Sequence, residues 1–206
     1  MKAPAYWSRA KRELKNADPV LGNLILRYKG LTLASRGDAF QTLARSIVGQ
    51  QISVQAAQSV WNRFAAAAGN MQPKRVLRLS EAQLRGCGLS GQKVKYLRDL
   101  SERFAGGALD VARWHTMDDE TLITDLTQVK GIGRWTAEMF LIFYLTRPDV
   151  FPLGDLGLQR AMSLHYNKGK PLSERRIATL SKLWTPWRSV ATWYLWRSLD
   201  PVPVEY

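Results

Sequence analysis

Apolar residues recur at three- and four-residue intervals along almost the whole chain, the spacing of helices that bury one face. Pro4–Leu14 and Pro19–Tyr28 show it first, with Asp18 as N-cap and Pro19 at the first helical position. Asp38 opens Ala39–Gln50, where Phe40, Leu43, Ile47 and Val48 share a stripe, and Ser53 caps Val54–Ala68, which stops at Gly69. Ser80 starts a short segment ending near Gly86, and Gly91–Phe104 carries Val94, Leu97 and Leu100 at helical spacing. Further segments are predicted at Asp110–Trp114, Asp118–Leu126, Arg134–Leu145, Asp155–Tyr166, Ser173–Leu183 and Pro186–Leu199. No stretch alternates as a half-buried strand does. The pattern predicts an all-α protein of about ten helices joined by short loops. Arg147–Gly154, with Pro148, Pro152 and Gly154, is the best candidate for a hinge between two lobes.

Composition narrows the class. A chain of 206 residues can bury one substantial core or two small helical lobes. The longest apolar run, Met139–Leu145, is far below the roughly 18–20 residues of a membrane span, and Met1–Asp18 has no apolar stretch of the secretory kind. One cysteine, Cys87, and two histidines, His115 and His165, argue against disulfides, an iron–sulfur cluster and a histidine-rich metal site. These three read as structural or solvent-facing, and the chain reads as cytoplasmic. Thirty Lys and Arg against seventeen Asp and Glu leave +13, and the pI is about 10.2. Such a surplus, spread along the chain, points to a polyanion and most often to nucleic acid.

Candidate chemistry begins at Leu126–Ala137. Gly131 and Gly133, two residues apart between helices, permit a tight turn that a ligand can approach closely. The following helix offers unpaired N–H groups and a positive dipole end, a seat for phosphate, with Lys130 and Arg134 beside it. A purely structural role for the glycines remains open on this ground alone. A twelve-residue helix over Arg134–Leu145 carries the chain about 18 Å away, and the loop to Gly154 can return about 25–29 Å. Asp155 is therefore within reach of the turn. It suits a helix N-cap, and that position favours the ionised carboxylate that a cleavage with oxocarbenium character needs.

The stretch Val-Lys-Gly-Ile-Gly-Arg-Trp-Thr-Ala (Val129–Ala137), followed by Asp149-Val-Phe-Pro-Leu-Gly-Asp155, resembles the helix-hairpin-helix, Gly/Pro-Asp superfamily of DNA glycosylases. Within it, the resemblance is closest to the DNA-3-methyladenine glycosylase II group. Ile47-Val-Gly-Gln-Gln-Ile-Ser53, Gly88-Leu-Ser-Gly-Gln-Lys-Val-Lys-Tyr-Leu97 and Pro186–Ala191 with Trp196 agree, so the likeness runs from about Asp18 to Trp196.

The resemblance implies two helical lobes with the active site in the cleft between them: 36–146, ending in the hairpin, and 1–35 with 147–206. It implies that Asp155 stabilises the oxocarbenium ion and orients water. Gly131 and Gly133 would hold a DNA phosphate, with Gln51, Ser53, Lys130, Arg134 and Thr136 as further DNA contacts. Gln51 would enter the gap left by the flipped base. Carbonyls of Thr127, Val129 and Ile132 would bind a structural monovalent cation; no cofactor is needed for catalysis.

Trp135, Met139, Leu156 and Trp196 would line the base pocket. Electron-rich rings favour cations, and purines alkylated at N3 or N7 are cationic. Trp135 stands where strand-nicking members carry a lysine, which implies a monofunctional enzyme. Its expected partner is damaged duplex DNA, and it is expected to act as a monomer. Met139 and Leu156 replace aromatics of some relatives, and Gln51 replaces an aliphatic wedge, so the lesion range stays open. The β-rich N-terminal domain of longer relatives is not expected. Two other readings stand beside this one: a same-fold glycosylase for uracil, deaminated or etheno bases, and a non-catalytic hairpin that only grips DNA.

Overall fold

A computed structural model of the protein describes residues 3–35 and 37–199. Among them the chain is all-α, with thirteen helices and no strand. By its internal contacts it divides into two units: the residues up to Ser35 together with those from Leu141 onward, and Arg36–Phe140.

The first unit holds α1 (Trp7–Ala17), α2 (Pro19–Arg27), α11 (Leu156–Tyr166), α12 (Glu174–Leu183) and α13 (Arg188–Leu199). Seven consecutive residues of α13, Ser189–Leu195, are buried, so this helix is enclosed on every side rather than amphipathic. Helices α1, α2 and α11 pack against it. Trp7 meets Trp193 edge-on at 5.3 Å and stacks on Tyr194 at 5.9 Å. The Asp18 carboxylate ties the unit together. Its Oδ1 accepts from the Val20 and Leu21 amides, and its Oδ2 accepts from Tyr166 Oη at 2.7 Å and Trp184 Nε1 at 2.9 Å. A buried carboxylate is tolerable when its lone pairs are filled in this way.

The second unit holds α3 (Ala39–Gly49), α4 (Val54–Ala68), α5 (Pro73–Arg78), α6 (Glu81–Gly86), α7 (Gly91–Ala105), α8 (Val111–Trp114) and α9 (Asp119–Thr127). The first seven residues of α10 (Arg134–Phe143) belong to it as well. Helix α7 is the hub, packed on α3, α5 and α6, with Val94, Leu97 and Leu100 buried along one face. A chain of edge-to-face rings, Phe104–Trp114–Phe140, closes the core.

The predicted caps are present: Asp18, Asp38 and Ser53 each accept a backbone N–H of the turn they start. Several expected bounds need correction. Helix α1 begins at Trp7 rather than Pro4, because Pro4 to Trp7 form a turn closed by the Trp7 N–H on the Pro4 carbonyl. Helix α5 was not expected; it has six residues and a Gln72 cap that makes no side-chain bond. Helix α10 stops at Phe143 rather than Leu145, where Thr146 takes φ +50° and the Arg147 N–H turns back to the Leu141 carbonyl. Helix α13 starts at Arg188 rather than Pro186, because Asp149 Oδ1 and the Pro148 carbonyl take the Arg188 and Ser189 amides.

Those same bonds change the account of Arg147–Gly154. The stretch expected as a hinge lies wholly in the first unit, and Val150 N–H is also held by Ser189 Oγ at 2.9 Å. The contact division falls after Phe140, inside α10, not after residue 146. The last turn of α10 makes its contacts with the first unit: Phe143 stacks on Trp196, and the Tyr144 carbonyl that follows accepts from Ser35. Positions 200–206 of the expected second lobe lie outside the described residues.

Candidate functional site

The hairpin follows from its glycine. Helix α9 ends at Thr127, and Val129–Ile132 form a turn closed by the Ile132 N–H on the Val129 carbonyl at 3.0 Å. Gly131, third in that turn, has φ +83°, which a side chain rarely tolerates. Three side chains brace it. Tyr96 of α7 covers Gly131, Asp99 Oδ2 accepts the Lys130 N–H at 2.9 Å, and Gln50 Nε2 donates to the Gly131 carbonyl at 2.7 Å. None of the three was singled out by the sequence, since contacts between distant segments leave no periodic trace. Gly133 is exposed and its carbonyl accepts from Ala137 N–H, so it caps α10.

Residues expected to touch DNA are distributed unevenly around this turn. Lys130 and Gln51 are exposed, and Gln51 holds φ +58°, a left-handed conformation unusual for glutamine. Ser53 uses its hydroxyl to cap α4. Thr136 is buried. The Arg134 guanidinium forms a two-pronged bond to Glu120 and a third to Glu138 at 3.0 Å, and the Glu120 bond foremost raises its pKa above the usual value. Of the residues expected to offer carbonyls to a cation, Val129 and Ile132 are buried as side chains. A carbonyl has two lone pairs, so Val129 can accept Ile132 and still face an ion. No group of three or more His, Cys, Asp or Glu among the described residues is placed to hold a metal.

The carboxylate site lies in the first unit. Asp155 is the N-cap of α11 and 7% exposed. Its Oδ1 accepts from Leu158 N–H at 2.6 Å and from Trp196 Nε1 at 2.8 Å. Trp196, half-buried on α13, stacks on Phe143 with centroids 5.8 Å apart and planes 15° from parallel. Both donors and the N-terminal end of α11 turn positive ends toward this carboxylate. Leu156, the first residue of α11, is 79% exposed beside this carboxylate. Trp135 is 38% exposed on α10, whereas Met139 is buried. Of eight tryptophans, Trp7, Trp61, Trp114, Trp184, Trp187 and Trp193 are buried. The two that are not are Trp135 and Trp196.

Cys87 is buried, and His115 is an exposed helix C-cap. His165 Nε2 is paired with Ser198 Oγ at 2.7 Å. No helix among the described residues is long and apolar enough to cross a membrane.

Comparison with known proteins agrees with the all-α fold. Residues 44–186 match the model of the HhH-GPD superfamily base excision DNA repair proteins. A DNA-3-methyladenine glycosidase of Bacillus halodurans superposes with a TM-score of 0.88 at 34% identity, over 97% of this chain and 93% of that one. A Schizosaccharomyces pombe 3-methyladenine DNA glycosylase, in complex with abasic DNA, superposes with a TM-score of 0.80 at 29% identity, over 96% and 98%. A putative DNA-3-methyladenine glycosylase of Bacillus subtilis is 32% identical over 87% of this chain, which spans 66% of that protein. The chain belongs to the HhH-GPD superfamily of base excision DNA repair proteins.

Proposed function

We propose that this protein is a DNA-3-methyladenine glycosylase of the type II group that excises alkylated purines from duplex DNA and leaves the strand intact. The observation that carries the reading is Asp155: a nearly buried carboxylate at a helix N-terminus, with one oxygen held by two N–H donors. Such a group is ready to stabilise positive charge without first reorganising.

The chemistry follows from the charge of the substrate. A purine methylated at N3 or N7 is cationic, so the glycosidic bond breaks with its electron pair moving to the base, which departs neutral and needs no general acid. Positive charge then grows on the deoxyribose, opposite Asp155. Water adds to the sugar carbon and its proton passes to the carboxylate or to solvent, leaving an abasic site. The base must leave the stack first. Gly131, Gly133, Lys130 and the first turn of α10 grip the phosphate backbone while Gln51 fills the gap. Leu156, exposed beside Asp155, offers the extruded base apolar surface. Trp135 has no amine for a Schiff base, so no lyase step follows. Carbonyls of Thr127, Val129 and Ile132 would hold a monovalent cation, adding positive charge behind the phosphate seat.

Duplex DNA methylated at purines provides the test, with base release and DNA binding measured on the same samples. Asp155→Asn is expected to abolish release while binding persists. Release of 3-methyladenine at the wild-type rate by that variant removes Asp155 from the mechanism. Strand cleavage by the wild-type protein, without added base or heat, overturns the monofunctional reading.

A further inference from the structure

Sequence placed Trp196 in the wall of a base pocket, but its indole is committed to the carboxylate. We infer that Trp196 and Gly157 form a positioning pair for Asp155, an inference that rests on Asp155 being the reacting group. The Asp side chain rotates broadly about its last bond when unrestrained. Here the Leu158 amide and Trp196 Nε1 both donate to Oδ1, at 2.6 and 2.8 Å. Two donors from different helices fix the plane of the carboxylate, which a lone capping bond does not. Phe143, stacked on the indole, fixes the donor in turn.

Gly157 supplies the second line of argument. It lies in the first turn of α11, and its φ is not in the left-handed region, so the backbone itself does not require glycine. Glycine within a helix costs about 1 kcal/mol relative to alanine. A Cβ at this position would stand 3.1 Å from Asp155 Oδ1, 3.5 Å from Trp196 Cδ1 and 3.6 Å from Trp196 Nε1. The two indole distances are ordinary van der Waals contact, so a methyl here would press on the carboxylate oxygen and not on the indole. Trp196 and Gly157 therefore act on the same oxygen: one donates to it, and the other leaves it in place.

Single-turnover excision of 3-methyladenine, duplex Kd and Tm are to be measured for Trp196→Phe, Gly157→Ala, the double variant and Asp155→Asn. Phenylalanine keeps a ring for Phe143 but removes the N–H together with part of the indole's bulk, and Tm reports the packing part of the loss. Loss of a hydrogen bond to a charged group should slow excision about tenfold or more, with Kd changed less than about twofold on the same argument. Gly157→Ala should also slow excision, by more than its change in Tm accounts for, because the methyl presses on Asp155 Oδ1. The double variant should be no slower than the slower single one, since both act through one contact. Excision by Trp196→Phe at the wild-type rate, losses that follow Kd, or losses that multiply in the double variant would each overturn the pair. Asp155→Asn keeps the two outcomes apart. If it is active, the reading of Asp155 has failed; if it is inactive while both singles are fast, only the pair has.

Discussion

The ring of Tyr96 occupies the space that a side chain on Gly131 would need: a Cβ there would lie 2.1 Å from Tyr96 Cδ2. The hairpin is thus fixed by exclusion as well as by hydrogen bonds, and glycine is required twice, for φ +83° and for the ring. Gly131→Ala should cost roughly 2–4 kcal/mol of stability from strain and overpacking together, and weaken duplex binding. Urea unfolding of Gly131→Ala, with and without Tyr96→Ala, separates the two causes. Removing the ring should restore part of the loss and leave the φ cost. Full wild-type stability in the single variant would contradict the geometry.

Asp18 makes a different prediction. Four donors converge on its buried carboxylate, from α2, Tyr166 and Trp184. Asp18→Ala strands them all and should cost about 3–5 kcal/mol, with Asp18→Asn intermediate. Thermal or urea melts measure this directly. A loss below about 1 kcal/mol, the net worth of one ordinary hydrogen bond, would mean the network carries little.

Arg134 bears on DNA binding through its neighbour. Its guanidinium is shared with Glu120 and Glu138, so a phosphate must compete with two carboxylates. Glu120→Gln is expected to tighten duplex binding and to steepen the dependence of log K on log salt by about one unit, the signature of one more phosphate contact. Titration across a salt series reads this. An unchanged slope places Arg134 away from the backbone.

Acid should be felt at His165. Burial foremost, with Arg27 nearby, lowers its pKa in the folded protein. The unfolded chain therefore takes up the proton more readily, near the unperturbed value of about 6.5. The sign follows: the contribution of neutral His165 is complete above that pH and is lost as the pH falls toward the lower folded value. Tm should drop through this window, and His165→Gln should flatten that part of the profile.

Much of this was legible in the chain. Asp18, Asp38, Ser53 and Asp155 read as helix caps because capping is local chemistry, confined to a turn. Gly131 and Gly133 read as a turn for the same reason. Trp135 and Trp196 stood out among eight tryptophans by their place beside the motifs, and they are the two that remain unburied. Tyr96, Asp99, Gln50 and Phe143 were missed, because each acts on a residue far along the chain and looks like an ordinary helix position. Helix α5 escaped notice because six residues are too few to show a period. Trp196 was placed as an aromatic wall; its indole N–H, the part that meets Asp155, has no signature in spacing.

That Asp155 both caps α11 and carries the proposed chemistry has an evolutionary consequence. The cap needs only a side-chain oxygen, which asparagine or serine supplies nearly as well. A change to either leaves a chain that folds, survives cellular quality control and still grips damaged DNA, yet cannot release the base. Inactivation at this position would be silent to every process that monitors stability. Such a protein would shield lesions from other repair enzymes, so selection against it must act through the unrepaired genome and not through loss of the protein.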